Sequence, residues 1–248
     1  MCNNSCIKFG QTTLTRDLVQ GKSVIEVGSY NVNGSLRSFV QSFEPREYLG
    51  VDIETGPGVD QICQAEDLVE RFGKDRFDVV ISTEMIEHVK NWQTVIHNLK
   101  EITRPGGILL VTTRSEGFPL HGYPFDFWRY SLSDMELIFS DFEIMVLEND
   151  TDDAGVLICA KKPRSFREQS LKSHRLFSII LGKRVSTSSI YTILWVRKAR
   201  TAMEKRCAAF KVACTRVTHY IRHPLGLPGM IRRKLSKSGS QNGNNIER

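Results

Sequence analysis

Between residues 20 and 161 short apolar runs alternate with segments of helical spacing, and this alternation narrows the fold more than any other feature of the chain. Phe77–Ser82 (FDVVIS) is nearly all apolar, as a central parallel strand covered on both faces must be. Ser23–Val27 (SVIEV), Tyr48–Ile53 (YLGVDI), Val59–Cys63, Ile108–Thr113 (ILLVTT), Phe142–Leu147 and Gly155–Lys161 read as further strands. Gln11–Gln20, Ser35–Phe43, Asn91–Thr103 and Ser131–Phe139 read as helices. Val95, Leu99 and Ile102 share one helical face, and Arg104-Pro105-Gly106-Gly107 stops that helix. Ser131 with Asp134 three residues on forms a capping box. The rhythm predicts an α/β fold of Rossmann-like type, an open and mostly parallel sheet with helices on both faces.

Charge divides the chain in two. Residues 1–164 hold 16 Lys and Arg against 25 Asp and Glu, whereas residues 165–248 hold 18 against three. The net charges, −9 and +15, predict an acidic domain over 1–164, a basic α-helical appendage over 165–235 and a disordered tail over 236–248. Ser165 and Glu168 read as a capping box opening a helix that runs to Gly182. A second helix over Ser189–Arg222 carries Val196, Met203, Phe210 and Val217 at intervals of seven, flanked by Arg and Lys. Such a helix can be the appendage's own core, pair with a second copy as a homo-oligomer, lie on an anionic membrane or bind nucleic acid. The aliphatic runs Ile179-Ile180-Leu181 and Ile193-Leu194 suit lipid better than base stacking.

At 40% hydrophobic and 25% charged residues, the composition excludes a wholly disordered, collagen-like or purely coiled-coil chain. The longest apolar runs, Phe177–Leu181 and Ile190–Val196, fall far short of the ~20 residues that span a bilayer. The start, MCNNSCIKFG, lacks the basic and apolar regions of a signal peptide, and Cys2 stands where myristoylation needs glycine. The expected location is the cytoplasm, peripheral to the inner face of the membrane if the basic part binds lipid. Six cysteines with neither a C-x-x-C pair nor zinc spacing fit a reducing compartment, and Cys63 and Cys159 read as small buried hydrophobes.

In sheets of this kind ligands bind at the carboxyl ends of the strands. After the first strand comes Glu26-Val27-Gly28-Ser29-Tyr30-Asn31-Val32-Asn33-Gly34-Ser35. Gly28 permits a tight turn and close approach of a ligand, and Gly34 is expected to open the next helix with its N–H groups facing the same space. Asp52 ends the second strand, where a carboxylate can accept from both hydroxyls of a ribose. The glycines stand six apart rather than as G-x-G-x-x-G, so the loop suits a ligand without a pyrophosphate better than a nicotinamide dinucleotide.

Five segments in this order, VIEVGSYNVNGSLR (24–37), YLGVDIETGPGVD (48–60), FDVVISTEMIEHV (77–89), LKEITRPGGILLVTTRS (99–115) and GFPLHGYPFDFWRYS (117–131), resemble the class I S-adenosylmethionine-dependent methyltransferases, in particular a small bacterial-type group. The resemblance covers residues 20–161 and implies a seven-stranded sheet with its last strand antiparallel. It implies that Glu26 orients the loop and the donor's amino acid moiety, and that Gly28 and Ser29 lie against its methionine part. Asp52 would hold the ribose and Ile53 the adenine face. Gln64, followed by Ala65, stands where relatives place an Asp on the adenine amino group, and Thr83 and Glu84 would line the floor beneath the sulfonium.

His88 follows the fourth strand, and an imidazole there is either a general base or a structural helix-start residue. His97 reads as a packing histidine within its helix. The segment 117–131 sets His121, Tyr123, Asp126, Trp128 and Arg129 close together after the fifth strand. It is expected to cover the sheet's carboxyl edge, with His121 as a second candidate base and Tyr123, Asp126, Trp128 and Arg129 as acceptor-binding residues; an Asp126–Arg129 internal ion pair is the structural alternative. No metal is expected.

The resulting expectation is a methyltransferase with a small-molecule or glycan acceptor. The alternatives are an RNA or protein methyltransferase holding a polyanion on the basic part, and a non-catalytic donor-binding scaffold. The residues after the fourth strand, STEM, lack the Asn/Asp-Pro-Pro-aromatic pattern of amino methylation.

Overall fold

Apolar side chains on both faces of SVIEV leave nowhere for this segment but the middle of a sheet, and all five of its residues are buried. In the computed structural model, which describes residues 3–122 and 125–187, the elements in chain order are α1 (Asn4–Thr13), α2 (Arg16–Val19), β1 (Ser23–Val27), α3 (Arg37–Gln41), β2 (Glu47–Asp52), β3 (Gln61–Ile62), α4 (Leu68–Phe72), β4 (Phe77–Thr83), α5 (Trp92–Ile102), β5 (Thr103–Arg114), β6 (Trp128–Arg129), α6 (Leu132–Ile138), β7 (Glu143–Asn149), β8 (Gly155–Lys161), β9 (Leu176–Ser178) and β10 (Lys183–Val185). Seven strands form one sheet in the order β3-β2-β1-β4-β5-β8-β7. β1 pairs parallel with β2 and β4, and β4 with β5; β8 runs antiparallel between β5 and β7. The last strand of the sheet is thus the antiparallel one. Register sets Val27 beside Val51 and Glu26 beside Ile81, so β1, β2 and β4 end at one edge.

The leading helix starts earlier than expected. Asn3 caps α1 by accepting from the Cys6 N–H at 2.9 Å, and Cys6 and Phe9 on one face join Val24, Val79 and Leu110 in the core. The chain leaves that helix at Leu14, so the expected single helix over 11–20 is two shorter pieces. α3 begins at Arg37, not at Gly34, whose N–H donates to Asn31 Oδ1 at 3.0 Å. Gly34 therefore neither opens the helix nor aims its N–H at a ligand.

The largest correction concerns residues 165–187. The expected helix to Gly182 is absent: β9 and β10 form an antiparallel hairpin instead, with Gly182 at φ 63° in its turn. β9 adds to β6, pairing Ser178 with Trp128 and Phe177 with Arg129, in a separate three-stranded sheet. Glu168 does not close a capping box; it lies 2.6 Å from His97 Nδ1, and the Gln169 N–H donates to Asp141 Oδ2 at 2.9 Å. Tertiary partners override the local helical signals. The expected boundary at 164 also falls inside the packed body, because Lys162 is 2% exposed and its ammonium donates to the Lys100 and Thr103 carbonyls at the C-terminal end of α5 at 2.9 and 2.7 Å. The described residues on both sides of 164 belong to one compact unit. The second helix over 189–222, the basic surface it was to present and the tail over 236–248 lie outside the described residues. No helix among the described residues is long and apolar enough to cross a membrane.

Candidate active site

A cleft of about 400 Å³ opens at the carboxyl ends of β1, β2 and β4. Of the expected donor residues, Gly28, Asp52, Ile53, Ala65 and Glu84 line it. Gly28 adopts φ 81°, and a Cβ there would stand 2.7 Å from Met85 Cγ, so only glycine leaves this wall open. Asp52 is oriented by the main chain: Oδ2 accepts from the Tyr30 N–H at 3.0 Å and Oδ1 from the Ile53 N–H at 2.7 Å. Each oxygen keeps capacity for a further donor. Ile53 is 64% exposed and offers an uncovered apolar surface beside Asp52.

Four expected donor residues, Glu26, Ser29, Gln64 and Thr83, do not line the cleft. Glu26 is buried, and its Oε2 accepts from the Tyr48 hydroxyl at 2.6 Å. Burial raises its carboxyl to about 7 against the opposing pull of Tyr48, Arg37 and Ser35. Glu26 thus ties β1 to β2 rather than meeting a ligand directly. Ser29 is buried beneath the loop, its N–H donating to the Val51 carbonyl at 3.1 Å. Thr83 is buried within β4, and Gln64 is exposed as the residue that leads into the turn Ala65–Asp67. Cys63 and Glu66 flank that turn in the cleft wall instead, together with Tyr30, Val32, Met85 and Val89. Asn98 on α5 holds the turn by donating to the Ala65 carbonyl at 2.9 Å.

Below the cleft lies a buried charged layer. Glu84 takes φ 53°, a left-handed conformation that turns the chain sharply after β4 and lays Met85 against Gly28. Its Oε1 accepts from Thr112 Oγ1 at 3.1 Å and from Cys6 Sγ at 3.4 Å, so α1 reaches the floor of the site. Burial, then Glu87 and Cys6, raise the Glu84 carboxyl, while the Arg114 guanidinium in contact with it opposes them. Glu87 is fully buried, with Oε2 accepting from Thr113 Oγ1 at 2.9 Å.

Residues 117–131 close one side. His121 lies with its Nε2 4.0 Å from Glu87 Oε1, and the His88 Nε2 is 3.7 Å from the same oxygen. The two imidazoles meet edge to face at 4.7 Å between centroids. The structure therefore brings both candidate bases together, and His88 and Gly122 line the cleft. Three of the four expected acceptor residues are corrected. Arg129 and Asp126 are both buried and paired at 2.6 and 2.8 Å. Arg129 also donates to the Phe118 and Pro119 carbonyls. The Trp128 indole donates to the Val89 carbonyl at 2.9 Å, and the Phe127 N–H to the Glu87 carbonyl at 2.9 Å. Asp126 and Arg129 brace the segment from within, Phe127 and Trp128 tie it to Glu87 and Val89, and the buried Asp126, Trp128 and Arg129 leave no surface for an acceptor; Tyr123 lies outside the described residues. Burial opposes ionisation of Asp126, but Arg129 and His121 outweigh it and hold its carboxyl well below the usual carboxylate range.

The geometry fits a bound S-adenosylmethionine: a glycine wall that no side chain can replace, a main-chain-oriented carboxylate and an exposed aliphatic side chain next to it. A family model described as a methyltransferase domain matches residues 4–156. The human mitochondrial ubiquinone biosynthesis O-methyltransferase is 31% identical over 93 residues, 38% of this chain and 23% of that protein. Its counterpart from Parvibaculum lavamentivorans is 25% identical over 107 residues, 42% of each chain. The matches thus span less than half of those relatives' length. The crystal structure of the Burkholderia thailandensis 1,6-didemethyltoxoflavin-N1-methyltransferase, with 1,6-didemethyltoxoflavin and S-adenosylhomocysteine bound, superposes with a TM-score of 0.52 at 13% identity, covering 63% of this chain and 78% of that one, which shows a shared fold. With its sheet order and a family match over more than half its length, the chain belongs to the methyltransferase-domain family and has the fold of the class I S-adenosylmethionine-dependent methyltransferases.

Proposed function

We propose that the acceptor is a small molecule with an apolar body and a hydroxyl group, methylated on oxygen. The observation that carries this reading is the pair of imidazole Nε2 atoms, from His88 and His121, gathered around the buried Glu87 at the edge of the donor cleft. The cleft's rim supports an apolar body: Tyr30, Val32, Ile53 and Phe125 are 40%, 53%, 64% and 59% exposed. The O-methyltransferases among the relatives are named for a quinone's biosynthesis, which agrees with such an acceptor.

When bound, the donor supplies a methyl group made electrophilic by its sulfonium. The chain's own part is alignment and proton handling. Asp52 and Gly28 fix the donor from the main-chain side, which removes freedom that the encounter would otherwise have to lose; alignment of two reactants can supply ~7–11 kcal/mol. His88 donates its Nδ1–H to the Phe125 carbonyl at 2.7 Å, so its Nε2 keeps a lone pair for a hydroxyl proton. The aliphatic wall excludes water that would compete for the methyl group.

Incubation with donor and a panel of phenols, catechols and sugars, followed by mass spectrometry, tests the reading. A gain of one methyl on a phenol or catechol oxygen is expected. Methylation confined to sugars, to RNA or to a protein added to the panel would overturn it.

A further inference from the structure

We propose that Glu87, His88 and His121 hold a divalent transition-metal ion at the acceptor edge of the cleft. The argument starts from lone pairs. His88 Nδ1 lies 2.7 Å from the Phe125 carbonyl oxygen, which can only accept, so Nδ1 carries a proton and a neutral ring offers its lone pair at Nε2. His121 Nδ1 lies 3.0 Å from Asp126 Oδ2, a carboxylate already paired with Arg129, without the alignment of a hydrogen bond. Both Nε2 atoms stand near Glu87 Oε1, at 3.7 and 4.0 Å.

Glu87 is fully buried, and Oε1 has no hydrogen-bond partner, whereas Oε2 takes the Thr113 hydroxyl. Three atoms able to donate an electron pair thus converge, one of them a buried carboxylate oxygen. A buried acceptor left without a hydrogen-bond partner is destabilising. A cation removes the cost at all three atoms together. The spacing is near that of a site: ligand atoms about 2.0–2.2 Å from a zinc-sized ion stand about 3.4 Å apart in a tetrahedron, and the Glu87 oxygen stands 3.7 and 4.0 Å from the two imidazoles, so binding would draw the three groups inward. The ligand atoms all lie within 4.8 Å of one another.

The surrounding contacts are those of a metal site. A metal-bound imidazole gives its other N–H to a carboxylate or a carbonyl, which fixes the ring and raises its basicity. The Phe125 carbonyl serves His88 in this way, and Asp126, which accepts from the His121 backbone N–H at 2.8 Å, stands 3.0 Å from His121 Nδ1. Gly122 has φ 60°, and a Cβ there would stand 3.0 Å from His88 Cε1, so the glycine lets the two rings close on Glu87. Two imidazoles and one carboxylate select a transition ion such as zinc, cobalt or manganese over magnesium or calcium. Because His88 and Gly122 also line the cleft, an ion here has an open side toward a ligand. On the acceptor reading above, an ion held by both Nε2 atoms would take the place of His88 as the activating group: its open side would take the acceptor's hydroxyl oxygen and lower its pKa, with the proton passing to water at the open cleft; the ion's binding itself does not depend on that reading. The expectation of no metal misses the site because His121 stands 33 positions from His88 in the chain, and no regular ligand spacing announces it.

Cobalt(II) titration of the full, chelator-treated chain tests the proposal through visible d–d absorption, with no acceptor present. One equivalent is expected to bind with nitrogen–oxygen bands, and Glu87→Gln and His121→Ala are each expected to weaken binding at least roughly tenfold, the scale seen even for outer-shell changes. His97→Ala, in the separate His97–Glu101–Glu168 group, is expected to leave the bands unchanged. Calorimetric binding of S-adenosylhomocysteine monitors folding and reports on the donor site alone; if His121→Ala loses it, His88→Gln replaces that variant. Absence of bands in the parent chain, or bands that survive Glu87→Gln and both histidine changes, would overturn the site and leave a shared proton as the occupant between these groups.

Discussion

The donor side and the acceptor side of the cleft are built in different ways. The donor side comes from the ends of β1, β2 and β4, neighbours in one sheet, and much of it is main chain: the Gly28 turn, and the Tyr30 and Ile53 N–H groups that hold Asp52. The acceptor side comes from pieces far apart in sequence. Its histidines are held by Glu87, Asp126 and the Phe125 carbonyl, and its segment is fastened by Arg129 and by a hairpin from residues 176–185. The difference teaches that one side of the cleft rests on the sheet itself and the other on buried ion pairs and a secondary sheet, so on the proposed reading donor binding and acceptor handling should fail separately.

His121→Ala separates them most strongly. With an acceptor from the panel, turnover is expected to fall about 10²–10⁴-fold, the range for losing a proton-handling group, while donor affinity stays as in the parent. Equal loss of both would merge the two sides into one. Arg129→Ala attacks the acceptor side through stability. It strands Asp126, a carboxylate with no exposure, and should cost about 3–5 kcal/mol in chemical denaturation. A cost below 1 kcal/mol would mean that the pair does not hold the segment.

Glu26→Gln probes the donor side through pH. Folded Glu26 holds its proton up to about 7 where a free carboxyl releases it near 4.5, so between those values the folded chain binds more protons than the unfolded one. Its contribution to stability is therefore complete below the lower value and lost as pH rises through the upper one, about 3 kcal/mol in all. Glutamine stays neutral throughout, so the variant should lose less stability than the parent between about pH 5 and pH 8. Glu84, whose burial acts in the same direction, is common to both chains. Equal losses would place Glu26 in a wetter setting than the Tyr48 contact describes.

The same contrast explains what could be read from the residues. The seven strands, the α6 capping box and the positions of Gly28, Asp52 and Ile53 follow from local pattern, because apolar runs and strand-end residues specify a parallel sheet and its edge. Glu26 shows the limit: an acid at a strand end looks like a ligand contact, and only the position of Tyr48 on the neighbouring strand reveals its inward turn. Trp128 and Arg129 mislead in the same way, since aromatic and charged residues after a strand resemble a pocket until their partners, the Val89 carbonyl and Asp126, are known. Residues 165–187 mislead because Ser165–Glu168 satisfies a helix rule locally while His97 and Asp141 claim its side chains and main chain. α1 was legible in principle from Asn3 as a cap with Cys6 and Phe9 on one face.

The central claim, that Asp52 at the end of β2 holds the donor independently of the histidine side, is tested most directly by calorimetric titration of S-adenosylhomocysteine into the parent, Asp52→Ala and His121→Ala chains. Asp52→Ala should weaken binding by about 1–3 kcal/mol, the scale of a hydrogen bond to a charged group, in a chain whose melting is unchanged. His121→Ala should bind as the parent does. Unchanged affinity in a folded Asp52→Ala chain, or a larger loss from His121→Ala than from Asp52→Ala, would contradict the account.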